Sequence, residues 1–95
     1  MIEILTFRLA EGVDEADFLA ADRQLQTAFA YRQPGLLRRT TARSAGGEWV
    51  VIDLWRSADD ADACDERWSG DGVAARLMSF IDRATVRTAR YHTLD

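Results

Sequence analysis

The stretch LLRRTTARSAGGEWVVIDLW, Leu36–Trp55, reads as strand, tight turn, strand. Trp49-Val50-Val51-Ile52-Asp53-Leu54-Trp55 is aromatic or β-branched almost throughout, the composition a pleated, half-buried surface favours. Leu36–Ser44 precedes it as a second strand, unusually rich in arginine (Arg38, Arg39, Arg43). Between them Ala45-Gly46-Gly47-Glu48 reads as a hairpin turn, because paired glycines accept positive φ.

Working outward, each flank repeats one order. On the N-terminal side, Ile2–Ala10 is apolar at Ile2, Ile4, Leu5, Phe7 and Leu9 without a Gly or Pro, and reads as a strand. A helix follows it. Asp14 is placed to cap the first-turn amides, Glu15 and Asp17 suit the positive end of the dipole, and Val13 and Phe18 have staple spacing. Phe18, Ala21, Leu25, Ala28 and Phe29 form one apolar stripe, Arg32 falls in the last turn, and Gln33-Pro34-Gly35 stops the helix. At about 18 residues it would be roughly 27 Å long, matching an eight-residue strand of roughly 26 Å.

On the C-terminal side, Ser57-Ala58-Asp59-Asp60 is a capping box with Asp in place of Glu. Ala61, Cys64 and Trp68 lie along one side of the helix it starts, and Ser69-Gly70-Asp71-Gly72 interrupts that helix. Val73, Leu77, Phe80, Ile81 and Ala84 resume the helical period, and Thr85–Leu94 reads as a final strand. The order βαββαβ predicts an α+β, ferredoxin-like single domain over residues 1–95: a four-stranded antiparallel sheet with both helices on one face. The other face is left bare. Val50, Ile52 and Leu54 are apolar there, while Trp49, Val51, Asp53 and Trp55 point to the opposite side. Both faces are thus largely apolar, which predicts a homodimer.

Composition sets outer bounds. The chain is 47% hydrophobic and can build a core, but a domain this small buries only ~60–65% of its unfolded surface, which favours oligomerisation. No signal pattern or long apolar run is present, so neither secretion nor a membrane span is expected. The single cysteine, Cys64, excludes an internal disulfide and points to a reducing, cytoplasmic setting. All 12 basic residues are Arg, a coding bias of GC-rich bacterial genomes. With a net charge of −4 the chain lacks the basic field that nucleic acid requires. Arg38, Arg39, Arg43, Arg87 and Arg90 are more simply read as partners of the sixteen acidic residues or of a second subunit.

The chain has no Gly-rich dinucleotide or phosphate loop and no G-x-S-x-G elbow. A lone His92 rules out a His-based metal cluster within one subunit. The acidic run Asp59–Glu66 lacks calcium-loop spacing and reads as a solvated helix start. No cofactor and no metal is therefore expected. Asp53 is a carboxylate in a mostly apolar strand. It is either ion-paired to an Arg of a neighbouring strand, the plainer reading, or a proton acceptor. Trp68, beside the helix break, either covers that break as a core residue or lines a pocket between helix and sheet.

The first strand and long helix leading to Gln33-Pro34-Gly35-Leu36-Leu37-Arg38-Arg39 resemble the antibiotic-biosynthesis-monooxygenase family of dimeric α/β barrels. So does Glu48–Trp55, which ends in a strand Trp and runs at once into Ser57-Ala58-Asp59-Asp60-Ala61. The similarity covers essentially the whole chain. It implies a ferredoxin-like subunit and a homodimer whose two sheets form a barrel. Studied members of that family include cofactor-independent oxygenases of polyketide quinols and enzymes that bind and oxidise haem. The haem-degrading branch uses an Asn on the first strand, a Trp late in the second helical region and a His ten residues later. Here Phe7 occupies the Asn place, Trp68 matches the Trp, and Met78 stands where the His would be. Haem degradation is therefore not implied.

Two functional expectations follow. One is a cofactor-independent, monooxygenase-like enzyme that binds a small aromatic, quinol-type molecule against Phe7, Trp68 and Met78, with Asp53 or His92 as the base. Histidine is a candidate because it titrates near neutral pH. The other is a non-catalytic dimeric ligand-binding or accessory domain that has lost its polar catalytic groups, as Phe7 in place of Asn suggests.

Overall fold

A computed structural model describes residues 1–95. Four strands form one antiparallel sheet in the order β2-β3-β1-β4: β1 (Ile2–Leu9), β2 (Leu36–Arg43), β3 (Trp49–Trp55) and β4 (Ile81–Tyr91). Helix α1 (Glu15–Ala28) lies between β1 and β2, and α2 (Ala58–Trp68) and α3 (Gly72–Met78) lie between β3 and β4. The helices cover one face of the sheet, giving the α+β ferredoxin-like arrangement that the hairpin and its flanks predict. No helix is long and apolar enough to cross a membrane.

The caps form as the residue types dictate. Asp14 accepts from the Ala16 amide, and the Ser57 hydroxyl accepts from the Asp60 amide at 3.1 Å. The Asp60 carboxylate accepts from the Ser57 hydroxyl at 2.9 Å rather than reaching back to its amide. In the hairpin only Gly47 takes positive φ.

Helix α1 is shorter than the apolar stripe suggests: 14 residues, followed by a 3-10 turn at Ala30–Arg32. Phe29 leaves the helical region at φ −132°, ψ −63°. Pro34 bars helical backbone at the residue before it, and the tighter turn lets the Tyr31 hydroxyl reach β2. There it donates to the Arg39 carbonyl at 3.0 Å and accepts from the Arg39 amide at 2.9 Å.

The last strand starts four residues earlier than the sequence pattern indicates. Phe80, Ile81 and Ala84 fit a helical period, yet α3 ends at Met78 and Ile81 is already in β4. The Phe80 carbonyl accepts from Ala10 at 2.8 Å, which pins the chain to the end of β1. β4 then pairs with β1 in two registers, Arg8↔Asp82 and Thr6↔Arg87, so residues 83 to 86 bulge opposite Phe7. Thr85 holds the bulge, its hydroxyl accepting from the Arg8 amide at 2.8 Å.

The core sits between sheet and helices. Phe18 of α1 is fully buried and packs edge-on against Phe7 of β1 (5.8 Å between centroids) and Trp49 of β3 (4.8 Å). Burying such a ring contributes about 2–3 kcal/mol. This cluster fills one end of the layer. The other end, toward α2 and α3, is not filled.

Candidate functional site

The unfilled end is a cavity of about 250 Å³ between the sheet and the helices, lined by 19 residues of which 14 are hydrophobic. That volume exceeds the about 150 Å³ known to hold a benzene ring in an engineered protein cavity. Phe7, Asp53, Trp68 and Met78 all line it. His92 does not: it is exposed and lies beyond the last residue of β4. Because β4 starts early, the chain has already run the length of the sheet by Tyr91, which pairs with Ile2. The structure thus brings four of the five expected site residues together and leaves the imidazole outside.

Asp53 is held on the helix side of β3, directly between Glu3 of β1 and Arg39 of β2. A one-residue bulge between Leu36 and Arg38 decides which arginine faces it. Without that extra residue Arg38 would stand opposite Asp53; with it Arg38 turns to the bare face and Arg39 turns inward. Yet Arg39 does not form a close pair with Asp53. Its Nη2 donates to Asp22 Oδ1 at 2.7 Å, whereas its Nε is 3.9 Å from Asp53 Oδ1. Asp53 Oδ1 is buried without a hydrogen-bond partner, and so is Trp55 Nε1 in the same cavity wall. Burial first, then the negative charges of Glu3, Asp22 and Asp65, raise Asp53 from 3.8 to about 6, against the opposing pull of Arg39. The simple ion pair of the plainer reading is therefore a distant, shared one.

Trp68, at the end of α2, is half-buried and stands edge-on to Phe29 at 5.5 Å. Asp71 caps α3 by accepting from the Ala74 amide at 2.9 Å, so the helix break is a defined turn. Trp68, Met78 and Val86 also wall an outer depression with Ser69, Ala75 and Arg83. Trp68 and Met78 thus stand between the inner cavity and the surface. Cys64 lines the cavity too; burial pushes its thiol up to about 11, so it is protonated at neutral pH and a poor nucleophile. No three His, Cys, Asp or Glu side chains cluster so as to hold a metal ion.

Sequence reasoning missed Asp22 and the particular arginine. Asp22 carried a signal: it stands within the stripe Phe18, Ala21, Leu25, where a charged residue must be buried, and it is 3% exposed. The arginine carried none, since a bulge is not written in the alternation of Leu36–Arg43. The five arginines Arg38, Arg39, Arg43, Arg87 and Arg90 separate by face. Arg39, Arg43 and Arg90 bond to carboxylates on the helix side, with Arg90 reaching Glu3, Asp62 and Asp65. Arg38 and Arg87 lie on the bare face.

The strand order and one-sided helices define a ferredoxin-like fold with an apolar cavity between the sheet and α2 and α3. No family's sequence model matches the chain, and no curated protein matches it. Its structural neighbours are antibiotic-biosynthesis-monooxygenase-like proteins. SnoaB, a cofactor-independent oxygenase from Streptomyces nogalater, superposes with a TM-score of 0.79 at 20% identity, over 99% of this chain and 92% of that one. A protein described as an antibiotic biosynthesis monooxygenase does so at 0.72 and 13% identity, over 100% of both chains. Rv0793 from Mycobacterium tuberculosis gives 0.61 at 22% identity, over 99% and 94%. At these identities the likeness establishes the shared fold.

Proposed function

We propose that this protein is a cofactor-independent, monooxygenase-like enzyme that takes a small aromatic, quinol-type molecule into the cavity, with Asp53 as proton acceptor. The observation that supports it most is Asp53 itself, a carboxylate that lines a mostly apolar cavity and has no close ion pair. In such chemistry the substrate is the reductant: loss of a hydroxyl proton leaves an electron-rich anion that passes electrons to oxygen. A phenolic hydroxyl has a pKa of about 10, so transfer to an ordinary Asp is uphill by about 8 kcal/mol. Raising Asp53 to about 6 removes about 3 kcal/mol of that, on the order of a hundredfold in anion population. Trp55, whose indole N–H is buried and unpartnered, stands in the same cavity wall. Phe7, Trp68 and Met78 supply the apolar walls that keep water out. The working unit in this proposal is a homodimer in a reducing, cytoplasmic setting.

The second reading, a non-catalytic dimeric ligand-binding or accessory domain, is favoured by Phe7. At 2% exposure and packed on Phe18, it offers no polar group from the first strand. One- and two-ring hydroquinones titrated into the protein should quench indole fluorescence, and Trp68→Phe should lose most of that quenching. Oxygen uptake above the uncatalysed rate, abolished by Asp53→Asn, supports the enzyme. Binding without oxygen uptake supports the second reading, and absence of binding in both proteins removes both.

A further inference from the structure

Two acids, one buried and one partly buried, face one arginine. Asp22 of α1 and Arg39 of β2 are 3% and 7% exposed, and their 2.7 Å contact is the shortest the guanidinium makes. Its Nη1 reaches the Thr41 hydroxyl at 3.3 Å. Its Nε is left facing Asp53 at 3.9 Å, too far for a hydrogen bond. The backbone of Arg39 is fixed from outside by the Tyr31 hydroxyl, which bonds both its amide and its carbonyl. The backbone anchor is thus held by Tyr31, and the closest partner of the guanidinium is Asp22.

We propose that Asp22 is a positioning residue for Asp53: by holding the Arg39 guanidinium to itself, it denies Asp53 a close ion pair and leaves that carboxylate able to accept a proton from a molecule in the cavity. The inference rests on the reading of Asp53 as the proton acceptor. The other charged or titratable groups facing Asp53 are Glu3 of β1 and Cys64 and Asp65 of α2; β4 presents Thr88 to the cavity, and Arg90 of β4 is engaged by Glu3 and Asp65. None of these supplies Asp53 with a competing cation. Arg39 is its one cationic neighbour in the cavity wall, which makes the position of Arg39 decisive.

The test needs no ligand, so it is independent of whether the cavity binds a quinol. The carboxyl carbon of Asp53, assigned by its loss in Asp53→Asn, is followed by carbon NMR through a pH titration. In the native protein its midpoint is expected at about 6. Asp22→Asn frees Arg39 to close on Asp53, and the midpoint should fall by at least about one pH unit, the effect of an opposite charge in direct contact. In an Arg39→Gln background the same substitution has no cation to release and should shift the midpoint much less. An unchanged midpoint in Asp22→Asn, or an equal shift with and without Arg39, overturns the proposal. Should Asp22→Asn not fold, Asp22→Glu, which keeps the charge but moves the carboxylate, is titrated instead: a shift of the Asp53 midpoint that is lost in the Arg39→Gln background supports the proposal, and a midpoint that Arg39→Gln leaves unmoved overturns it.

Discussion

Folding penalises the charged form of Asp53 relative to the protonated one, so its charge at neutral pH weakens the protein. Its value rises from 3.8 to about 6 on folding. Between those limits the native state binds the extra proton, and stability falls as pH rises from about 4 to about 6, then levels off. The full effect is on the order of 3 kcal/mol at neutral pH. Asp53→Asn should therefore stabilise the protein at pH 7 by about 1–3 kcal/mol, a rise of roughly 5–15 °C in melting temperature, and should be neutral near pH 4. A lower melting temperature at pH 7 would mean that the 3.9 Å attraction to Arg39 outweighs burial. The same substitution should abolish any oxygen uptake, so stability and activity move in opposite directions. Trp68→Phe is expected to cost only ~1–2 kcal/mol, because the ring is half-buried and the substitution keeps an aromatic at the Phe29 contact. Asp53 and Trp68 were both visible in the sequence, the first as a charge in an apolar strand and the second as a large ring beside a glycine pair. What no periodicity reveals is that Arg39 is divided between two acids, since that depends on distances of 2.7 and 3.9 Å across three elements.

The strands and helices are written in short-range signals, and their ends are not. Asp14, Ser57 and the alternation of Trp49–Trp55 mark elements that form where the residues predict. The end of α3 was obscured because Phe80 and Ile81 satisfy a helical period while serving the core from a turn and a strand: Phe80 packs on Phe18 at 6.5 Å, and Ile81 is buried. Tertiary pairing of Phe80 with Ala10 won over local pattern. The turn into β2 is under a different constraint. Gly35 has φ +84°, and a Cβ there would overlap the Asp60 side chain, which Arg56 and Ser57 hold in place. Gly35→Ala therefore combines a left-handed backbone with a clash and should cost at least about 2 kcal/mol. Gly70 at the α2–α3 break has no atom within 4 Å of such a Cβ and no positive φ. Gly70→Ala should change stability by less than about 0.5 kcal/mol. Equal losses in the two variants, measured by urea unfolding, would show that the Asp60 contact at Gly35 carries no weight.

At the scale of the molecule, the bare sheet face is a grid set by strand register. One row reads Arg38, Leu54, Ile2, Tyr91; the next Thr40, Ile52, Ile4, Ala89; the third Ala42, Val50, Thr6, Arg87. Its centre is aliphatic, its two arginines lie at opposite corners, and Ile52 is 39% exposed and Tyr91 54%. A contiguous apolar centre with a polar rim is what a covered surface looks like. A second copy of this chain is the occupant we expect, because the face is nearly self-complementary under a two-fold rotation: apolar centre meets apolar centre. Light scattering should give twice the chain mass of 10.7 kDa at micromolar concentration, and the melting temperature should rise with concentration. Ile52 and Ile4 occupy the middle of the middle row, so a two-fold axis through the face brings Ile52 close to its own copy. Ile52→Arg then sets guanidinium against guanidinium in a desolvated patch. The variant should scatter as a monomer, and its melting temperature should lose its concentration dependence. The side chain points away from Phe18, the aromatic core and the cavity, so the substitution leaves the inner layer intact. A native protein that stays at 10.7 kDa across concentrations would leave the aliphatic face to a different partner and remove the barrel.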